Sequence, residues 1–87
     1  MRMNSKHQET LNRIFEKPVH AGIPWNDIEA LLLALGAEIS EGRGSRVHIV
    51  LQNVRAVFHR PHPHKETDKG AVISMRRFLI TAGAEPC

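Results

Sequence analysis

The sequence contains very little cysteine: its one cysteine, Cys87, is the last of 87 residues. A single thiol forms neither an intramolecular disulfide nor the thiolate set of a zinc site, so a disulfide-stabilised secreted fold is excluded and a reducing cytoplasm is expected. Long apolar runs are lacking too, because no segment approaches the roughly 20 consecutive apolar residues of a membrane span. The amino terminus also has no apolar stretch typical of a signal peptide. We therefore expect a soluble cytoplasmic protein without a membrane partner.

Phosphate-binding glycine motifs are a third absence. The run Gly42-Arg43-Gly44-Ser45 is too short for a P-loop, and neither Lys-Ser nor Lys-Thr follows it. This argues against a nucleotide-driven enzyme. A chain of 87 residues also has room for only one hydrophobic core, because it buries about 60–65% of its unfolded surface.

What the sequence does contain is an uneven distribution of charge. Residues 1–42 carry four Lys/Arg and six Asp/Glu, a net charge of −2, whereas residues 43–87 carry eight and three, a net charge of +5. Four of the six histidines also lie between Arg43 and Lys69. This pattern predicts that the second half binds a polyanion. We interpret the acidic first half as helices whose anionic turns face away from that partner.

Hydrophobic spacing predicts three helices. The first covers about residues 5–16, with capping-box spacing that begins at Ser5. The second begins at Pro24 and ends at Gly36, a typical left-handed cap. The third covers about residues 69–82. Its Arg76 and Arg77 are expected on the solvated outer side, while Trp25, at the start of the second helix, is expected to be a core anchor more than a base-stacking platform.

Between the second and third helices the period changes to two, which predicts strands over residues 37–40, 46–51 and 54–59. With Gln52-Asn53 as the hairpin tip, opposite residues have numbers that sum to 105. One hairpin face is then apolar, and the other presents two arginines and two histidines. The predicted order is α-α-β-β-β-α, an α+β fold with a three-stranded antiparallel sheet and helices on one face.

The polar hairpin face and the turn before it are the candidate site. His48 and His59 share that face with Arg46, and imidazole is the side chain that exchanges protons near neutral pH. The turn adds Arg43 and the small residues Gly44 and Ser45. Two interpretations stay open: a phosphate-binding turn that leads into a catalytic strand, or an ordinary turn with solvated charges and surface histidines.

A Pro/His-rich loop, residues 60–64, follows the last strand. Its spacing makes His59, His62 and His64 a conceivable metal site, but neither a cysteine nor a clear carboxylate ligand completes the set. We therefore predict no metal and no cofactor, and interpret these histidines as polar residues near the binding surface.

Several stretches in combination resemble the HicA toxins of bacterial toxin–antitoxin modules. They are Asp27-Ile28-Glu29-Ala30-Leu31-Leu32, Gly44-Ser45, His62-Pro63, Lys65 through Lys69-Gly70, and the last helix with its ending Ala82-Gly83. The resemblance extends over about residues 24–84. It makes residues 1–17 an amino-terminal helical extension and residues 18–87 a single HicA-like domain.

The resemblance implies a fold like the double-stranded-RNA-binding domain and a ribosome-independent endoribonuclease that cuts mRNA and arrests growth. It also implies a HicB-type antitoxin that covers the site. Family members commonly carry a histidine directly after Gly-Ser, and that histidine is regarded as catalytic. Arg46 stands at this position here, and a guanidinium stays protonated and cannot serve as a general base.

Two outcomes follow from Arg46. In the first, His48 or, as second choice, His59 deprotonates the ribose 2′-OH while Arg46 stabilises charge on the scissile phosphate, which gives metal-free cleavage through a 2′,3′-cyclic phosphate. In the second, the protein is a small RNA-binding module without chemistry. A DNA-binding adaptor ranks last, because no helix-turn-helix pattern is present. The residues expected to contact the RNA are Arg43, Gly44, Ser45, Arg60, His62, Lys65 and Lys69.

Overall fold

A computed structural model of the protein describes residues 4–61, 66–84 and 86. Within these residues the chain forms three helices and one sheet of three antiparallel strands in the order β1-β2-β3, which confirms the predicted α+β class and element order. The elements are α1 (Ser5–Ile14), α2 (Trp25–Ala34), β1 (Glu38–Glu41), β2 (Arg46–Leu51), β3 (Val54–His59) and α3 (Lys69–Thr81).

The hairpin of β2 and β3 has the predicted register. Arg46 lies opposite His59, and Leu51 lies opposite Val54 at the end next to the tip. The tip residues Gln52 and Asn53 have φ values of 50° and 66°. Two successive left-handed residues are the pattern of a type I′ turn, whose twist matches that of the flanking strands. The turn therefore fixes the register although its sequence is not the favoured Asn-Gly.

The first strand begins one residue later than predicted, at Glu38 instead of Ala37. The end of α2 explains the shift, because Gly36 has a φ of 94° and the Ala37 N–H donates to the Leu32 carbonyl at 2.9 Å. This is the hydrogen bond of a Schellman cap. Ala37 thus belongs to the helix ending, and sheet pairing starts with Glu38 opposite Val50.

The helices cover one face of the sheet. Val47 and Ile49 of β2 are fully buried beneath them, and Phe58 of β3 is 7% exposed. The centroid of the Phe58 ring lies 5.9 Å from that of Phe78 in α3, in an edge-to-face arrangement, and 6.3 Å from that of Trp25. Trp25 is 3% exposed, so the prediction that it anchors the core is confirmed. The other core side chains are Leu11, Ile14, Ile23, Ile28, Leu31, Leu32, Ala37, Leu51, Val72, Met75, Leu79 and Ala82.

The first helix packs into the same core and contacts α2 and α3. Its cap is Asn4 and not the predicted Ser5, because the Asn4 side chain accepts a hydrogen bond from the His7 N–H at 2.9 Å. The helix ends at Ile14, two residues before the predicted end. The third helix also ends one residue early, at Thr81.

The predicted outward position of Arg76 is wrong. Its Nε and Nη2 donate to the Ile14 carbonyl at 3.0 and 2.9 Å, and Nη2 also donates to the Glu16 carbonyl at 2.9 Å. The guanidinium carbon lies 5.8 Å from the centre of the Phe15 ring. The carbonyls at a helix end have no partner within the helix, and Arg76 supplies donors for them. It therefore joins α3 to α1, whereas Arg77 is exposed.

Candidate nucleic-acid interface

The sheet face opposite the helices is open, and its residues form a grid set by the strand register. At the end near the β1–β2 turn, Arg46 of β2 lies opposite His59 of β3. In the next row His48 lies between Ser40 of β1 and Val57 of β3. All five side chains are exposed. The structure therefore places the three predicted catalytic residues together at one end of this face.

The two histidines are diagonal neighbours across the hairpin. His59 is opposite Arg46, two residues before His48 on the same strand, and such diagonal residues lie roughly 7–8 Å apart. Arg46 is the direct neighbour of both, one position along the strand face from His48. Two imidazoles thus flank one guanidinium at this end of the open face.

Ser45, in the turn before β2, makes two contacts at the end of β3 where His59 lies. The Ser45 hydroxyl lies 3.5 Å from His59 Nδ1, at the long end of the hydrogen-bond range, and the Ser45 carbonyl accepts from the Arg60 N–H at 2.8 Å. The second contact continues the hairpin ladder one residue beyond β2 and β3. Ser45 therefore borders the Nδ1 side of the His59 ring.

His48 rests on the backbone of Gly42. A Cβ at position 42 would lie 2.7 Å from His48 Nε2 and 3.1 Å from the Arg46 Cβ, so the His48 ring would have to move aside and the Arg46 Cβ would have to shift slightly. The Gly42 N–H also donates to the Arg46 carbonyl at 2.9 Å, which closes the turn. Gly42 is therefore a site residue that sequence reasoning missed, although the paired glycines of this turn were a visible signal.

The other predicted RNA contacts are more scattered. Arg43 and Gly44 are exposed in the turn, and Gly44 has a φ of 62°. Lys69 is exposed in the first turn of α3, on the helical layer rather than on the open face. His62 and Lys65 lie outside the described residues, as does His64 of the conceivable metal site. The RNA-binding role of each stays a prediction.

Arg60 occupies a different environment from Arg46. Its Nη1 donates to both carboxylate oxygens of Glu41 at 2.8 Å, and its Nε donates to Glu29 Oε2 at 3.0 Å. Glu29 also accepts from the Trp25 indole N–H. Hydrogen bonds to Glu41, and then to Glu29, raise the pKa of Arg60. The guanidinium therefore joins β1, α2 and the end of β3, and any phosphate would compete with two carboxylates for it.

The acidic residues of the first half do not all lie on helices, as the interpretation of that half assumed, because Glu38 and Glu41 belong to β1. Glu38 lies on the open face, next to Val50 and on the opposite side of it from Arg55. The sheet therefore has an acidic edge at β1 and a basic edge at β3. Strand alternation explains this, since Ile39 turns inward and its two neighbours Glu38 and Ser40 must turn outward.

Among residues 4–61, 66–84 and 86, no three His, Cys, Asp or Glu side chains are grouped so as to hold a metal ion. Within the same ranges, no helix has both the length and the apolar character needed to cross a bilayer.

Comparison with known proteins identifies a family for most of the chain. The family model described as the HicA toxin of bacterial toxin–antitoxin matches residues 25–84. No curated protein and no solved structure matches the chain, so the likeness to the double-stranded-RNA-binding domain depends on the family resemblance alone. The matched region runs from the first residue of α2 to just beyond α3, with the whole open face inside it. The chain therefore belongs to the HicA family of toxins from bacterial toxin–antitoxin systems.

Proposed function

We propose that the protein is a metal-independent endoribonuclease that cleaves mRNA and thereby arrests growth. The observation that carries this proposal is the convergence of Arg46, His48 and His59 at one exposed end of the sheet in a chain of a toxin family. Family membership implies an antitoxin partner, and we take it to be a HicB-type protein that covers this face. The mRNA substrate places the activity in the cytoplasm.

The proposed reaction uses the 2′-OH of the RNA as nucleophile. His48 removes its proton, the 2′-oxygen attacks the adjacent phosphorus, and Arg46 stabilises the negative charge that grows on the phosphoryl oxygens. The bond from phosphorus to the 5′-oxygen then breaks, and His59 protonates that oxygen. The products are a 2′,3′-cyclic phosphate and a 5′-hydroxyl, so the step consumes no water, and the side chains named here carry it without a role for a metal ion.

The assignment of the two histidines follows from their surroundings. His59 has Ser45 beside Nδ1, so we assign Nε2 as the proton donor to the leaving group. His48 rests on Gly42 near the middle of the sheet. A ribose that faces His48 leaves its phosphate beside Arg46 and the leaving oxygen toward His59.

The test is cleavage of single-stranded RNA by the purified protein in EDTA. Wild type should yield fragments ending in a 2′,3′-cyclic phosphate, and His48→Ala should reduce the rate by about 10²- to 10⁴-fold. The matched control is His20→Ala, which removes an exposed histidine paired with Glu16 outside the open face. Intact RNA in the wild-type reaction would refute the proposal. Equal rates for His48→Ala and His20→Ala would refute the role of His48.

A second variant tests whether the position of the His48 ring matters as well as its presence. Gly42→Ala keeps every proposed catalytic group but pushes the His48 ring from its place. It should lower the cleavage rate at all pH values while leaving the shape of the pH profile unchanged. A rate equal to that of wild type would show that the placement of His48 over Gly42 is irrelevant to cleavage.

The alternative is an RNA-binding module without chemistry, and the observation that favours it is Arg46. If the family's histidine after Gly-Ser is indispensable, the protein retains only phosphate contacts. Binding would then weaken steeply with salt, RNA length would not change, and neither histidine would matter. Incubation of labelled RNA with stoichiometric protein, analysed both by gel shift and by denaturing gel, distinguishes the two functions.

A further inference from the structure

The open face also contains a depression that extends beyond the proposed catalytic residues. Its volume is about 540 Å³, and the side chains of the open face that line it are Ser40, His48, Val50, Arg55 and Val57. It lies one row beyond Arg46 and His59, along the same strands. Three elements of the sheet thus build a concavity that begins at His48, where the proposed cleavage site ends.

The spacing of the rows matches the dimensions of a nucleotide. Residues on one strand face repeat every two positions, which is roughly 6.8 Å. A phosphate held beside Arg46 therefore leaves its neighbouring base about one row away, over His48 and Val57 or the next row. That next row is Val50, with Arg55 on one side and Glu38 on the other.

The chemistry of these two rows suits a flat group with polar edges. Val57, on the edge strand β3, is 51% exposed, and together with the half-buried Val50 it offers an apolar floor. Arg55 forms no ion pair with any described residue, in contrast to Arg60, and its guanidinium donors are available. Glu38 supplies acceptors from the opposite strand.

We propose that this depression is a seat for one base of single-stranded RNA and that it selects guanine. The proposal depends on the proposed function for its setting, since it concerns the base next to the cleaved phosphate. Guanine offers two acceptors, O6 and N7, to the fork of Arg55. Its amino group and ring N–H on the other edge are donors that fit the Glu38 carboxylate. Adenine presents its amino donor where Arg55 also donates, and its other edge has an acceptor at N1 and no 2-amino group, so it keeps only the N7 contact.

The experiment measures binding and not cleavage, so that the guanine seat and the proposed endoribonuclease activity can be refuted independently. Fluorescently labelled tetranucleotides with 2′-O-methyl groups have no free 2′-OH and cannot be cleaved by the proposed route. We compare a uridine tetramer with tetramers in which guanine or adenine replaces the second uridine, using anisotropy at fixed salt. Guanine should bind about fivefold or more tightly than adenine, the discrimination of one good bidentate contact.

Variants test whether the guanine preference comes from this depression. Arg55→Ala should reduce the ratio of guanine to adenine affinity to about one, and Glu38→Gln should reduce it in part. The matched control Arg13→Ala removes an arginine of α1, the helix that packs against α2 and α3, and should leave the ratio unchanged. Equal affinities for all tetramers, no measurable binding, or a guanine preference that survives Arg55→Ala would overturn the seat. If unmodified RNA is not cleaved in EDTA but the guanine preference is retained, only the proposed endoribonuclease activity is refuted.

Discussion

Along β2, Val47 and Ile49 are completely buried, while their neighbours Arg46 and His48 on the opposite face are exposed. Val47 and Ile49 are held in place by packing, because each is surrounded by other side chains of the core. The open face has few internal partners, and its shape comes from register, a glycine turn and one serine contact. Because residues alternate between these faces, neighbouring positions should separate stability from function.

The largest effect is expected from Ile49→Ala. Loss of a fully buried isoleucine side chain should destabilise the protein by about 2–5 kcal/mol, because it leaves a cavity between sheet and helices. The adjacent His48→Ala should change the free energy of unfolding by less than about 0.5 kcal/mol. Urea unfolding of both variants measures the difference. Similar losses for the two would mean that the open face also carries stability.

The next prediction tests whether positions on the open face are interchangeable. Adding Arg46→His to His48→Ala restores the family's residue after Gly-Ser and places an imidazole opposite His59. We expect the double variant to cleave at least about tenfold faster than His48→Ala. This is part of the rate enhancement that a general base usually provides. Single-turnover cleavage measures it. Arg43→His in the same background is the control, and recovery there would show that any added histidine suffices.

The sequence predicted this face well because the signals for it are local. Alternation along β2 and β3 and a two-residue tip determine the whole register, and with it the meeting of Arg46, His48 and His59. Even the late start of β1 follows from a local cause, the glycine cap of α2. Local pattern thus accounts for the sheet and for the clustering of the candidate site.

Two arginines show where local pattern fails. Arg60 is bound by Glu29, 31 residues away, and Arg76 by the Ile14 carbonyl, 62 residues away. Both resemble solvated or RNA-binding cations in the sequence, and nothing within a few positions of either indicates a partner. Only tertiary packing, of α2 beside the end of β3 and of α3 against α1, brings these groups together. Glu38 on the open face was missed because charge was assigned to halves of the chain and not to strand faces.

Arg76 gives the third prediction. Arg76→Met keeps much of the apolar length of the side chain but leaves the Ile14 and Glu16 carbonyls without its donors, so we expect a loss of about 1–3 kcal/mol. Arg77→Met, the exposed neighbour, should stay within about 0.5 kcal/mol of wild type. Thermal and urea unfolding measure both. Equal stability of the two variants would mean that water replaces Arg76 at the end of α1 without loss.

The smallest effect is expected where the two regions meet, at the Arg60 ion pairs. Glu41 is 68% exposed, so Glu41→Gln should lower the urea midpoint by less than Arg76→Met does. Glu41 and Glu29 raise the pKa of Arg60, so its contribution is present below the unfolded-state pKa and is lost only as the pH rises through the folded-state value. Stability conferred by Arg60 should therefore not vary between pH 6 and 9.

Salt provides the check on this last prediction. Exposed ion pairs are screened, so the difference between wild type and Glu41→Gln should shrink from low salt to about 1 M NaCl, where the Debye length is about 3 Å. Glu38→Gln is the matched control, since Glu38 shares β1 but lies on the open face. A difference that persists in high salt would show that Glu41 acts through the geometry of its hydrogen bonds to Arg60 and so holds the end of β3 in place beside His59.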